Sequence, residues 1–143
     1  MTWRHCVAAL ASISVMACIG WTAANAAEKP ADAPYTIKDG KVDKQTYNGW
    51  RRYTESCLRC HGPDGAGSSY APDLTRSLKS MSQEQFNDVV VNGRTNVNTA
   101  AENVMPSFGL VPDVMLYIDD IYAYLKARSD GMLGRGRPQR LDE

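Results

Sequence analysis

CLRCHGPDGAG, residues 57–67, sets two cysteines three apart, a histidine directly after them, and three glycines in the next six positions. Three chemistries begin this way: a zinc clip, a redox dithiol and a covalent haem anchor. The residues around the stretch have to choose among them.

The chain has 143 residues and the length of one domain. Arg4 and His5 give it a short basic start, Cys6 to Ala24 is almost wholly apolar, and Ala24-Asn25-Ala26 has the form of an A-x-A cleavage site. This pattern predicts a secretory signal peptide over residues 1–26 and a periplasmic mature protein. Two other readings of the segment fit less well. As an uncleaved anchor, the apolar run sits near the lower limit for spanning a bilayer. As a lipoprotein signal ending at Cys18, it continues through Ile19-Gly20-Trp21, where cleavage is required.

Cleavage settles most of the cysteine question. His5, Cys6 and Cys18 leave with the signal, so the mature chain keeps Cys57, Cys60 and His61 within five residues. A structural zinc site asks for four Cys or His ligands, and only three remain. A thioredoxin-like dithiol asks for a strand–helix–strand setting, and no β-branched or alternating run precedes Cys57. A disulfide closing so small a loop would stabilise little. Covalent haem fits each residue. On a helix, positions i, i+3 and i+4 share a face, so both thiols can meet one edge of the macrocycle while His61 turns to the iron. One motif predicts one haem c. The mature chain is near neutral, which points away from nucleic acid and from an anionic membrane surface.

No second histidine remains, so the other axial ligand is sought among Met81, Met105, Met115 and Met132. Met81 precedes a helix start, Met115 lies inside a helical repeat, and Met132 follows the last helix. Met105 stands before Pro106, which excludes helix and keeps the chain extended, so Met105 is the predicted ligand. An iron held by His61 and Met105 has no vacant position and is left with outer-sphere electron transfer. The rival is a haem enzyme or gas binder with an open sixth position.

Spacing predicts an all-α fold, with three main helices and long loops around the haem. Residues 27–42 read as a flexible lead-in, 43–131 as the haem domain, and 132–143 as a basic tail. Asp43 caps a first helix running to about His61, with Tyr47, Trp50, Tyr53 or Thr54, and Cys57 on one face. Gly49 inside it suggests close approach by another helix. Residues 62–80 read as irregular chain. Pro72 there is either a simple turn proline or a residue whose carbonyl accepts the His61 Nδ1–H. Ser82 and Gln85 form a capping box for a helix to Asn92, with Gly93 after it. Residues 92–103 read as a polar loop. Pro112 and Asp113 open a last helix to about Arg128, with Val114, Tyr117, Ile118, Ile121, Tyr124 and Leu125 as its apolar stripe.

Cys57-Leu58-Arg59-Cys60-His61, Ala71-Pro72-Asp73-Leu74, Val104-Met105-Pro106-Ser107-Phe108 and Ile121 to Lys126 resemble monohaem class I cytochromes c over roughly residues 43–128. The resemblance implies that fold, with Gly49 and Tyr53 at the crossing of the first and last helices. It implies thioether bonds at Cys57 and Cys60, iron ligation by His61 and Met105, and the Pro72 carbonyl supporting His61. It implies electron transfer and no enzyme activity. The longer stretches YNGWRRYTESCLRCHGPDGAGSSYAPDL, FNDVVVNGR and NVMPSFGLVPDVMLYIDDIYAYLKARSDG are similar to periplasmic cytochromes that accept electrons from PQQ-dependent methanol or ethanol dehydrogenases. The partners implied are such a dehydrogenase, docking transiently, and a downstream cytochrome c or terminal oxidase. A monomer is expected, and a general shuttle between a respiratory complex and an oxidase is the alternative. Arg135, Arg137 and Arg140 read either as steering charges or as a solvated end.

Overall fold

The computed structural model describes residues 30–97 and 102–142. The signal peptide expected over 1–26 lies outside them, as do residues 27–29 of the lead-in. Among the described residues, no helix is long and apolar enough to cross a membrane.

Asp43 starts the fold. One of its carboxylate oxygens accepts the Thr46 amide at 2.7 Å and caps helix α1, Lys44–Ser56. The other accepts the Thr36 amide and ties the preceding chain to the cap. The chain then breaks at Cys57, whose φ of −113° leaves helical geometry, and resumes as α2, Leu58–His61. The single helix expected to His61 is therefore two. A 3-10 turn, Pro63–Gly65, follows, and Asp73 caps a short α3, Leu74–Ser77. Residues 62–80 thus contain more regular structure than their glycines and prolines suggest.

Helix α4, Gln83–Asn92, carries the predicted capping box: the Gln85 amide donates to Ser82 Oγ at 3.2 Å, and the Ser82 amide to Gln85 Oε1 at 2.9 Å. Residues 92–103 correct the loop expectation. Strands β3, Arg94–Val97, and β4, Glu102–Met105, pair antiparallel, with Arg94 opposite Met105. Gly93 makes this return possible: its φ is +76°, and a Cβ there would stand 2.6 Å from the Met105 carbonyl oxygen.

The last helix is also two, α5, Pro112–Leu116, and α6, Ile118–Ser129, broken at Tyr117. Arg52 of α1 lies over the Tyr117 ring, 4.2 Å from its centre, and joins the break to the first helix. Helices α1 and α6 form the main packing of the fold. They cross at Gly49, where a Cβ would stand 1.8 Å from the Asp120 carbonyl oxygen. The close approach expected at Gly49 is real. The stripe predicted on α6 is too narrow, because Ile121, Tyr122, Ala123, Tyr124 and Leu125 are all buried. Helix α6 packs on α1, α3 and α4 at once, and Tyr122 faces Phe86 of α4 with ring centres 5.4 Å apart.

The two chain ends are built in. Strands β1, Ile37–Lys38, and β2, Lys41–Val42, pair antiparallel, and β5, Gln139–Arg140, lies parallel to β2. Tyr35 and Val42 are fully buried, and the Tyr35 hydroxyl donates to Asp130 at 2.9 Å. The described parts of the segments read as a lead-in and as a basic tail are tied to the rest of the fold by these contacts, although most of residues 134–142 are exposed.

Candidate haem site

Helix α2 is one turn long, and that turn is the site. The Cys60 and His61 amides donate to the Cys57 carbonyl at 3.2 and 3.0 Å, which sets the two cysteines and the histidine at positions i, i+3 and i+4 of a single turn. Both cysteines are free; Cys57 is half-buried and Cys60 exposed. Burial, and then the neighbouring Cys60, push the Cys57 thiol up to about 12. A redox dithiol needs a depressed thiol, so this environment speaks against that use. Among the described residues, no three His, Cys, Asp or Glu side chains cluster as a metal-binding set.

His61 is buried, and its Nδ1 lies 3.1 Å from the Pro72 carbonyl oxygen. A carbonyl can only accept, so Nδ1 carries the proton and Nε2 keeps its lone pair. Burial lowers the histidine pKa, and the Pro72 bond works against that shift. Of the two readings of Pro72, the structure shows the hydrogen-bonding one.

The glycines explain how Pro72 gets there. The Gly67 amide donates to the His61 carbonyl at 2.8 Å. A Cβ on Gly62 would stand 2.3 Å from the Gly67 carbonyl oxygen, and one on Gly67 would stand 2.7 Å from the Asp73 amide nitrogen. Only bare backbone lets these three stretches stack. Tyr53 fixes the stack from inside: its hydroxyl donates to the Gly62 carbonyl and accepts the Gly65 amide at 3.0 Å. Sequence reasoning saw in Tyr53 only an aromatic at the helix crossing, where its ring meets Tyr124 with centres 5.5 Å apart.

The structure thus brings Cys57, Cys60, His61 and Pro72 together. Met105 comes from a separate element, at the end of β4, half-buried against the hydrophobic core. Met81 and Met132 also pack partly on that core. Met81 further lines a cavity of about 720 Å³, with Ser77, Gln85, Val89 and Arg94 among its walls. Two thiols on one helical turn and one bare imidazole nitrogen suit covalent attachment of a haem and ligation of its iron.

This fold and donor set define a c-type cytochrome. The chain belongs to the family described as cytochrome c oxidase, cbb3-type, subunit III, whose model matches residues 44–125. It is similar to cytochrome c-553I of Paracoccus denitrificans, with 50% identity over 106 residues, 74% of this chain and 47% of that protein. It is similar to cytochrome c-555 of Methylococcus capsulatus, with 44% identity over 96 residues, 66% of this chain and 72% of that one. Among solved structures, it is similar to the c-type cytochrome XoxG from Methylobacterium extorquens AM1, with a TM-score of 0.67 and 47% identity. That match covers 74% of this chain and 65% of the other. The chain spans about half the length of the Paracoccus protein. It is a member of the cytochrome c family, whose name implies covalently attached haem c.

Proposed function

We propose that this protein is a periplasmic one-electron carrier. It takes electrons from a PQQ-dependent methanol or ethanol dehydrogenase and passes them to a downstream cytochrome c or terminal oxidase. Cys57 and Cys60 would hold the haem through their thiols, and His61 and Met105 would ligate its iron. When bound, haem c supplies one-electron iron chemistry. Pro72 keeps the proton on His61 Nδ1 and so keeps Nε2 free to ligate. Met105 would supply a neutral thioether to the iron, a ligand that favours the reduced state.

The observation that carries the carrier reading is the His61–Pro72 bond made from the same turn that carries the paired free cysteines. The donor rests on the sequence likeness of residues 47–74 and 103–131 to cytochromes that serve PQQ-dependent alcohol dehydrogenases. A further feature agrees with transient docking. Val104, Leu110 and Val111, which flank Met105 in the chain, are exposed, Leu110 almost completely at 97%. Exposed apolar side chains so near Met105 in the chain are available to a transient partner.

The test is stopped-flow reduction of the purified haem-loaded protein by a purified PQQ alcohol dehydrogenase, beside a respiratory donor. Faster reduction by the dehydrogenase is expected. Reduction by the respiratory donor alone would replace this reading with the general shuttle.

A further inference from the structure

Asp64 holds a backbone conformation that costs a non-glycine residue. Its φ and ψ are 62° and 14°, in the left-handed region, three residues beyond His61. Glycine would sit there at less cost. What the side chain does is visible in its partners. The carboxylate is buried, and both oxygens are used by the end of the chain: Oδ1 accepts the Gly136 amide at 2.9 Å, and Oδ2 accepts Arg135 Nε at 3.2 Å. The Asp64 carbonyl accepts Arg128 Nε at 3.4 Å, and Arg128 also donates to the Leu133 carbonyl at 2.6 Å. Farther on, Arg137 donates to the Tyr47 hydroxyl at 2.6 Å, and β5 pairs with β2.

We propose that residues 133–140 form a strap anchored on Asp64, and that Asp64 is a positioning residue for the turn behind α2. The coupling is short. Asp64 lies between Gly62 and Gly65, which Tyr53 holds, and Gly67 of the same loop bonds the His61 carbonyl and packs on Pro72 and Asp73. The strap therefore presses from outside on the stack that brings the Pro72 carbonyl to His61. This differs from a steering role for the tail arginines, since Arg135 and Arg137 are engaged with the protein's own groups.

Asp64→Gly removes the carboxylate without adding backbone strain, because glycine adopts this conformation at less cost. In the haem-loaded protein, it should raise trypsin cleavage at Arg135–Gly136 by on the order of tenfold, the scale of one hydrogen bond to a charged group. Amide hydrogen exchange at Gly65 and Gly67 should rise similarly. Asp64→Asn, which keeps an acceptor for the Gly136 amide, should fall between Asp64→Gly and the native protein. Deleting residues 134–143 removes the strap with Asp64 intact, and should raise the same exchange rates. Exchange at Gly65 and Gly67 that stays native in Asp64→Gly or in the deletion would overturn the proposal. None of these readouts depends on the sixth ligand or the electron donor, so failure here would leave the carrier reading standing.

Discussion

His61 presents one nitrogen because Pro72 occupies the other, and Pro72 reaches it only because Gly62 and Gly67 lack side chains. Tyr53 is the residue on which this arrangement turns from within. Tyr53→Phe keeps the ring against Tyr124 but leaves the buried Gly62 carbonyl and Gly65 amide without their partner. We expect a loss of about 1–3 kcal/mol in chemical denaturation. An unchanged midpoint would show that water replaces the hydroxyl at no cost. Cys57, Cys60 and His61 were legible in the sequence, because thiols and imidazoles at that spacing have few uses; the Pro72 contact was one of two open readings of that residue and was implied only by the family resemblance. The second role of Tyr53 was not, since its partners lie nine and twelve residues away in a glycine-rich loop. Asp64 was hidden for the same reason: its partners are more than seventy residues downstream.

Helices α1 and α6 cross through a gap that only glycine leaves. Gly49→Ala would place a methyl 1.8 Å from the Asp120 carbonyl oxygen, so the helices must part. A loss of about 1–3 kcal/mol or more is expected in thermal unfolding, even though alanine favours helix by on the order of 1 kcal/mol. A gain in stability would mean that the crossing is looser than drawn. Gly93→Ala meets a similar limit at the Met105 carbonyl oxygen, and adds strain from a φ of +76°. The helix starts were readable, since Asp43 and the Ser82–Gln85 box are local signals. The β3–β4 hairpin was not. Its strands are polar and show no alternation, and backbone pairing after Gly93 defines them. The narrow stripe assigned to α6 failed because a helix packed on several sides buries more than one face.

The fold is closed by its ends. Tyr35 bonds Asp130, β5 joins β2, and Arg137 lies 5.7 Å from the centres of both the Tyr47 and Trp50 rings. Composition alone made both segments look loose, because their partners are remote in sequence and the pairing strands are two residues each. Deleting residues 134–143 should therefore lower the melting temperature, by about 4–8 °C for each kcal/mol lost. It should leave the salt dependence of reduction by the dehydrogenase nearly unchanged. A flatter salt dependence in the truncated protein would return the tail arginines to a steering role. In the proposed carrier, His61 and Met105 would both ligate the iron and leave it no open site. The most direct test of that ligation is the absorption spectrum of the purified ferric protein beside its methionine variants. A weak charge-transfer band at the red end is predicted in the native protein and in Met81→Ala, and its loss in Met105→Ala. A band that survives in Met105→Ala, or a high-spin ferric spectrum in the native protein, would contradict it.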